Sequence, residues 1–163
     1  NAHGVRTGMC ANGVASDAPD LQGLIVMPFK ADRLLLILPK DHPLADGRSV
    51  AFADVLDEPF IGQAEQGAMA ALLMHHARLA GKTLAYRVRL DSMDAICRMV
   101  GRGAGVAVVP EAAARRMGRA AGIRRLRLTD AWTRRQVVVC VRDPHQLPLP
   151  ARQLLDHLLA QAG

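Results

Sequence analysis

The chain has 163 residues, enough for one ordinary domain or two small subdomains and too few for a large multidomain enzyme. Half of them are hydrophobic and 22% are charged, which excludes intrinsic disorder; a mean hydropathy of +0.10 suits a soluble protein with a sizeable core. The net charge of +6 and a pI near 10.0 invite a nucleic-acid reading along Arg115, Arg116, Arg119, Arg124, Arg125, Arg127, Arg134 and Arg135. Yet Lys30, Lys40 and Lys82 are the only lysines, the arginines accompany abundant Ala as a compositional bias would produce, and aromatics make up 3%. Stacking platforms for single strands or RNA need more aromatics than that, so the arginines are expected to form a solvated surface.

The richest apolar run, Leu34 to Leu38, stops at Pro39-Lys40, well short of the roughly 18 residues of a spanning helix, so no membrane partner is expected. The first residues show no signal-peptide pattern, and the chain reads as a piece of a longer, cytoplasmic protein. Cys10, Cys97 and Cys140 are far apart, with no Cys-x-x-Cys and no zinc-finger His spacing; three reduced thiols, no structural metal and no cofactor are the expectation.

In chain order, Leu24 to Met27 and Arg33 to Leu38 read as strands bounded by Pro28 and Pro39. Phe60 to Gln63 is a further strand, and Gly67 to Ala80 a helix ended by Gly81. Tyr86 to Leu90 precedes Ser92, an N-cap for a helix whose Met93, Ile96, Cys97 and Val100 form an apolar stripe. Val106 to Val109 has the continuous apolar character of a strand buried on both faces, and Pro110-Glu111 opens a helix to Met117. Ile123 to Leu128 and Gln136 to Arg142 are strands, and Pro150 starts a terminal helix with Leu154, Leu155, Leu158 and Leu159. The segment from Phe60 to Pro110 is thus βαβαβ, implying an α/β fold with a parallel sheet. Arg33 to Pro39 and Gln136 to Arg142 suit two strands crossing between subdomains.

Enzyme signatures fail. Gly101-Arg102-Gly103-Ala104-Gly105 follows a helix and precedes a strand, the reverse of a phosphate loop, and reads as a helix end and tight turn. None of Ser16, Ser49 and Ser92 sits in a nucleophile elbow. His75 and His76 are adjacent on a helix, so they diverge by about 100° and cannot share a metal, one facing solvent and one the core margin. Cys97 reads as a buried small hydrophobe, and Asp57-Glu58 as loop.

Three ordered segments resemble the effector-binding (substrate-binding) domain of LysR-type transcriptional regulators. They are Gly23 to Phe29 with Asp32 to Ala45, including His42-Pro43-Leu44-Ala45; Leu90-Asp91-Ser92 with Ile96, Val100 and Gly103 to Glu111; and Gln136 to Arg142 with the closing helix. The resemblance spans about residues 12 to 160 and implies a periplasmic-binding-protein-like fold of two α/β subdomains joined by two crossing strands. Subdomain I would comprise 1–43 and 131–163, and subdomain II 44–130. Asn12 to Asp17 aligns with the family's second strand, so the first strand and helix of subdomain I are expected to be missing. The winged helix-turn-helix is missing too, so operator DNA would be met only through that absent domain.

The resemblance implies a bacterial, ligand-sensing, allosteric module rather than an enzyme, with an effector in the inter-subdomain cleft and a homodimer or tetramer as the assembly. Ligands of open α/β sheets sit beyond the strands' carboxyl ends, near helix N-termini that favour a small anion such as a carboxylate. The candidate effector-binding residues are therefore Gln63, Ala64, Glu65, Gln66, Gly67, Ser92 and Pro110, with Ser16 from subdomain I. A free-standing solute-binding protein of the same fold and a small α/β enzyme are the alternatives.

Overall fold

The structure, a computed structural model, describes residues 6–11, 25–64, 67–118, 122–141 and 143–161. The chain divides into two compact units, Asn1–Asp32 with Arg134–Gly163, and Arg33–Thr133. The sequence instead places the boundaries at 43/44 and 130/131.

In the first unit, β1 (Arg6–Ala11) pairs antiparallel with β8 (Arg134–Val141), from Arg6 opposite Cys140 to Ala11 opposite Arg135. A strand thus exists ahead of Asn12 to Asp17, where the sequence offered none; residues 12–17 themselves lie outside the described residues. The closing helix α4 (Leu149–Ala160) buries Leu155, while Leu154 is half exposed. Arg135, expected among the solvated arginines, is instead buried and ion-paired with Asp32, because an Arg placed between strands is held by a carboxylate rather than by water.

The two strands expected on either side of Pro28 are one, β2 (Ile25–Pro39), which runs across the boundary between the units at Asp32 and Arg33. Proline deletes one N–H from a ladder without ending the strand. From Arg33 on, β2 is the spine of the second unit. It pairs antiparallel with β6 (Ala107–Pro110) on one side and with β7 (Ile123–Leu128) on the other, and β7 takes the short β3 (Ser49–Val50) in parallel. Further out, β4 (Phe60–Gln63) and β5 (Tyr86–Leu90) form a parallel pair. A parallel bridge between Phe60 and Val106 continues β4 toward β6: Ile61 N–H donates to Val106 O at 2.8 Å and Val106 N–H to Pro59 O at 2.9 Å. The βαβαβ unit is therefore present, but within a mixed sheet. The apolar run leading into β6 is buried on both faces because helices cover the sheet, although its main partner is antiparallel.

Alternation along β2 serves two cores. Leu34, Leu36 and Leu38 join Phe52, Phe60, Leu73 and Ala77 under α1 (Ala68–Leu79). Leu35 and Ile37 join Ile96, Cys97, Val100, Val109 and Ala114 under α2 (Met93–Gly101) and α3 (Glu111–Met117). Gly103, at φ +83°, turns the chain out of α2 as the sequence suggested. Gly105 is required for another reason, since a Cβ there would lie 2.3 Å from Pro59 O and would block the backbone approach that closes β4 on β6.

The His42-Pro43-Leu44-Ala45 turn has a physical account. Leu44 N–H donates to His42 Nδ1 at 3.1 Å, so Nδ1 is the acceptor and the proton lies on Nε2, which donates to Glu58 Oε1 at 3.0 Å. The ring thus braces its own turn and ties it to the segment before β4, giving Glu58 a partner that the loop reading missed.

Candidate functional site

Because β4 runs parallel to β5 and to the bridge with β6, their carboxyl ends share one edge of the second unit. Gln63, Ala64, Gly67, Ser92 and Pro110 are brought to that edge by three strand-to-helix turns. Ala64 N–H donates to Leu90 O at 2.9 Å and ties the first turn to the end of β5. Ser16, Glu65 and Gln66 lie outside the described residues.

The three helix starts at this edge differ. The 12-residue helix α1 begins at Gly67, which has no side chain to cap the first N–H groups, and its first turn carries no acid. At α2, Ser92 Oγ accepts from Ala95 N–H at 3.1 Å and Asp94 sits in the first turn. Pro110, which has no N–H, precedes α3 and leads into Glu111. Partial positive charge at a helix start attracts an anion, and a carboxylate already in the first turn opposes one. The α1 start is therefore the suited one. Ser92 is engaged as a cap and Pro110 as the end of a strand paired to Leu34.

Beneath this turn, Gln63, Gly62, Met69, Leu73 and Tyr86 help line a cavity of about 20 Å³, room for one water and for no effector. Tyr86 covers Gly62 so closely that a Cβ would lie 2.3 Å from its ring. Burial pushes the Tyr86 hydroxyl above its ordinary pKa, partly countered by Arg89, whose guanidinium lies 4.4 Å from the ring centroid.

The residues set aside as non-catalytic are also placed. Cys97 is fully buried; desolvation, reinforced by Asp94, raises its thiol pKa and makes a thiolate unfavourable. His75 is exposed and His76 half-buried, as expected, but their rings still meet edge to face at 5.1 Å. His76 also stacks on Trp132 at 4.1 Å with 6° between planes, a contact that local spacing gave no sign of. Among the described residues, no group of three or more His, Cys, Asp or Glu is placed to hold a metal ion. No helix among them is long and apolar enough to cross a membrane.

Comparison with known proteins agrees with this architecture. The family model described as LysR substrate binding domain matches residues 3–163. A probable nitrogen assimilation transcriptional activator of Synechococcus elongatus is 28% identical over 112 residues, 67% of this chain and 36% of that protein. The CcmR regulatory domain of Synechocystis, solved in complex with 2-PG, superposes with a TM-score of 0.75 at 20% identity, over 96% of this chain and 73% of that one. The effector binding domain of QuiR in complex with shikimate gives 0.71 at 15% identity, over 96% and 71%. This chain spans about a third of the length of the curated relatives it matches. With its whole length from residue 3 matched, the chain belongs to the LysR substrate-binding domain family, whose members are parts of transcriptional regulators and not enzymes.

Proposed function

We propose that the chain is the sensing part of a cytoplasmic bacterial transcriptional regulator and takes a small anionic effector, a carboxylate, at the Gln63 to Gly67 turn. The observation that carries this reading is the start of α1, which has neither a capping side chain nor an acid in its first turn, beside the amide of Gln63. The ligands of two structural neighbours, 2-PG and shikimate, support a small-molecule effector. In this reading Ser16, Ala64, Glu65, Gln66, Ser92 and Pro110 flank the ligand, and the two units act as subdomains whose preferred state the effector selects. A homodimer or tetramer passes that shift to a winged helix-turn-helix outside this chain, which alone reads the operator sequence.

Calorimetric titration with a panel of small carboxylates, shikimate included, tests the site. Ala68 is exposed in the first turn of α1, so Ala68→Asp leaves the helix as stable or slightly more so while repelling an anion. Binding lost with the melting temperature unchanged or raised supports the site, as does weaker binding by Gln63→Ala. Unchanged affinity in both variants refutes it.

A further inference from the structure

Between β4 and β5 the ladder slips by one residue. Phe60 stands opposite Tyr86 and Ile61 opposite Val88, so Arg87 is an extra residue on β5, a bulge of a kind that is rare between parallel strands. The Arg87 guanidinium donates to Ala104 O at 3.0 Å, which fixes the extra residue in place. In a regular strand, residues three apart point to opposite faces. The bulge reverses that here. Phe60 and Tyr86 pack with the core under α1, whereas Ile61, Val88 and Leu90 pack with the core under α2. Arg89 lies between Val88 and Leu90 and so is turned to the α1 side, the same side as Tyr86.

The register brings Arg89 opposite Gly62 and Leu90 opposite Gln63, at the carboxyl edge where the effector site is proposed. Gly62 has no side chain, and the Tyr86 ring takes the space a Cβ would need. The ring also lines the small cavity with Gln63 and with Met69 of the first turn of α1, so it is wedged between that turn and β4. Over this fixed ring lies the Arg89 guanidinium, 4.4 Å from the centroid. Contact through the face of a ring leaves the in-plane N–H groups of a guanidinium free to donate. Arg89 is exposed, and among the described residues no carboxylate forms an ion pair with it.

We infer that Arg89, aimed by the bulge and held on Tyr86, is the cation that pairs with the carboxylate of the effector, and that Tyr86 is its positioning residue. This rests on the Gln63 to Gly67 turn being the effector site and adds to it the charge that selects an acid over its neutral analogue. A guanidinium matches a carboxylate through two parallel N–H donors, which a helix start and an amide do not supply. The ring restricts the long side chain in advance, so less rotamer freedom is lost on binding.

The test is NMR titration of the isotope-labelled 163-residue chain with acetate, lactate and shikimate at constant ionic strength, the Arg89 Nε–H signal being assigned by its loss in Arg89→Gln. The expected result is that Arg89 Nε–H and the backbone N–H groups of Ala68 and Met69 shift along one saturable curve with at least one of the acids. Saturable shifts at Ala68 and Met69 without Arg89 overturn the inference and leave the effector site standing. Shifts at neither overturn both, and a shift at Arg89 alone separates it from the site and overturns the inference. With the acid that binds tightest, Arg89→Gln is expected to weaken binding about tenfold and to leave the affinity for its neutral primary amide unchanged. Tyr86→Leu, which removes the ring, is expected to weaken the acid about threefold, and Tyr86→Phe to restore the wild-type value. Equal affinity of wild type and Arg89→Gln for the acid overturns the inference, as does an equal loss for acid and amide, which would make the role of Arg89 structural. Melting curves establish that each variant is folded; Arg89 is exposed, so its variant decides the question even where Tyr86→Leu does not fold.

Discussion

The two sides of the central strand in the second unit are built from different materials. The side of Leu34, Leu36 and Leu38 is closed by rings: Phe52 meets Phe60 edge to face at 6.4 Å and Trp132 at 5.1 Å, and Trp132 stacks on His76. Among the described residues the side of Leu35 and Ile37 holds no aromatic residue; Ile61, Ile96 and Ile123 fill it together with Cys97, Val100, Ala107, Val109 and Ala114. Rings bury much area each under one long helix, whereas on the other side Cys97, Ala107 and Ala114 keep side-chain volume low beneath two short helices. The same five-residue apolar run, Leu34 to Leu38, serves both, with the helix start of the proposed effector site on the ring-closed side. One side therefore depends on volume that must be present, and the other on volume that must stay absent.

The largest effect should come from emptying the first side. Phe60 is 1% exposed, and Phe60→Ala is expected to cost about 3–5 kcal/mol, read as a drop in the urea midpoint. The second side should respond to filling. Ala114 is fully buried on α3, and Ala114→Leu is expected to cost about 1–3 kcal/mol by forcing the helix off the sheet. A neutral or stabilising Ala114→Leu would break the distinction between the two sides. A smaller loss, about 1 kcal/mol, is expected for Ser92→Ala, which uncaps α2 without touching either core; an unchanged thermal melt would show that Asp94 or water satisfies the same N–H group.

What was legible in the sequence follows the range of the forces involved. The α2 helix, its Ser92 cap and its Ile96-Cys97-Val100 stripe are set by neighbours within one turn, and they stand where periodicity puts them. The edge carrying Gln63, Gly67, Ser92 and Pro110 was equally readable, because a βαβαβ order alone brings three strand ends together. The strand Arg6–Ala11 was not: Arg-Thr-Gly-Met-Cys-Ala has no alternation, and it becomes a strand by pairing with β8. Nor was the His76–Trp132 stack, whose partners are brought together by tertiary packing. The proposed preference for the α1 start over the α2 start rests on Asp94, whose place in the first turn of α2 follows from the sequence once Ser92 is taken as the cap.

The smallest effect concerns pH and belongs to the ring-closed side. Burial lowers the pKa of His76 below its ordinary value, His75 lowers it further, and Asp130 opposes both. Stacking on Trp132 would favour an imidazolium, so desolvation is the stronger influence here. In the unfolded chain His76 titrates near the ordinary 6.5. Between that value and the lower folded one, the unfolded state binds more protons, and stability therefore rises with pH through that window. The contribution of neutral His76 is complete above about pH 6.5 and is lost as pH falls through the folded pKa. His76→Phe keeps an aromatic ring against Trp132 and removes the titration. Urea midpoints at a series of pH values from 5 to 8 should show the wild-type chain losing stability relative to this variant on the acid side. Parallel curves would mean that the ring of His76 pays no desolvation penalty, and that the aromatic side is indifferent to the charge at its rim.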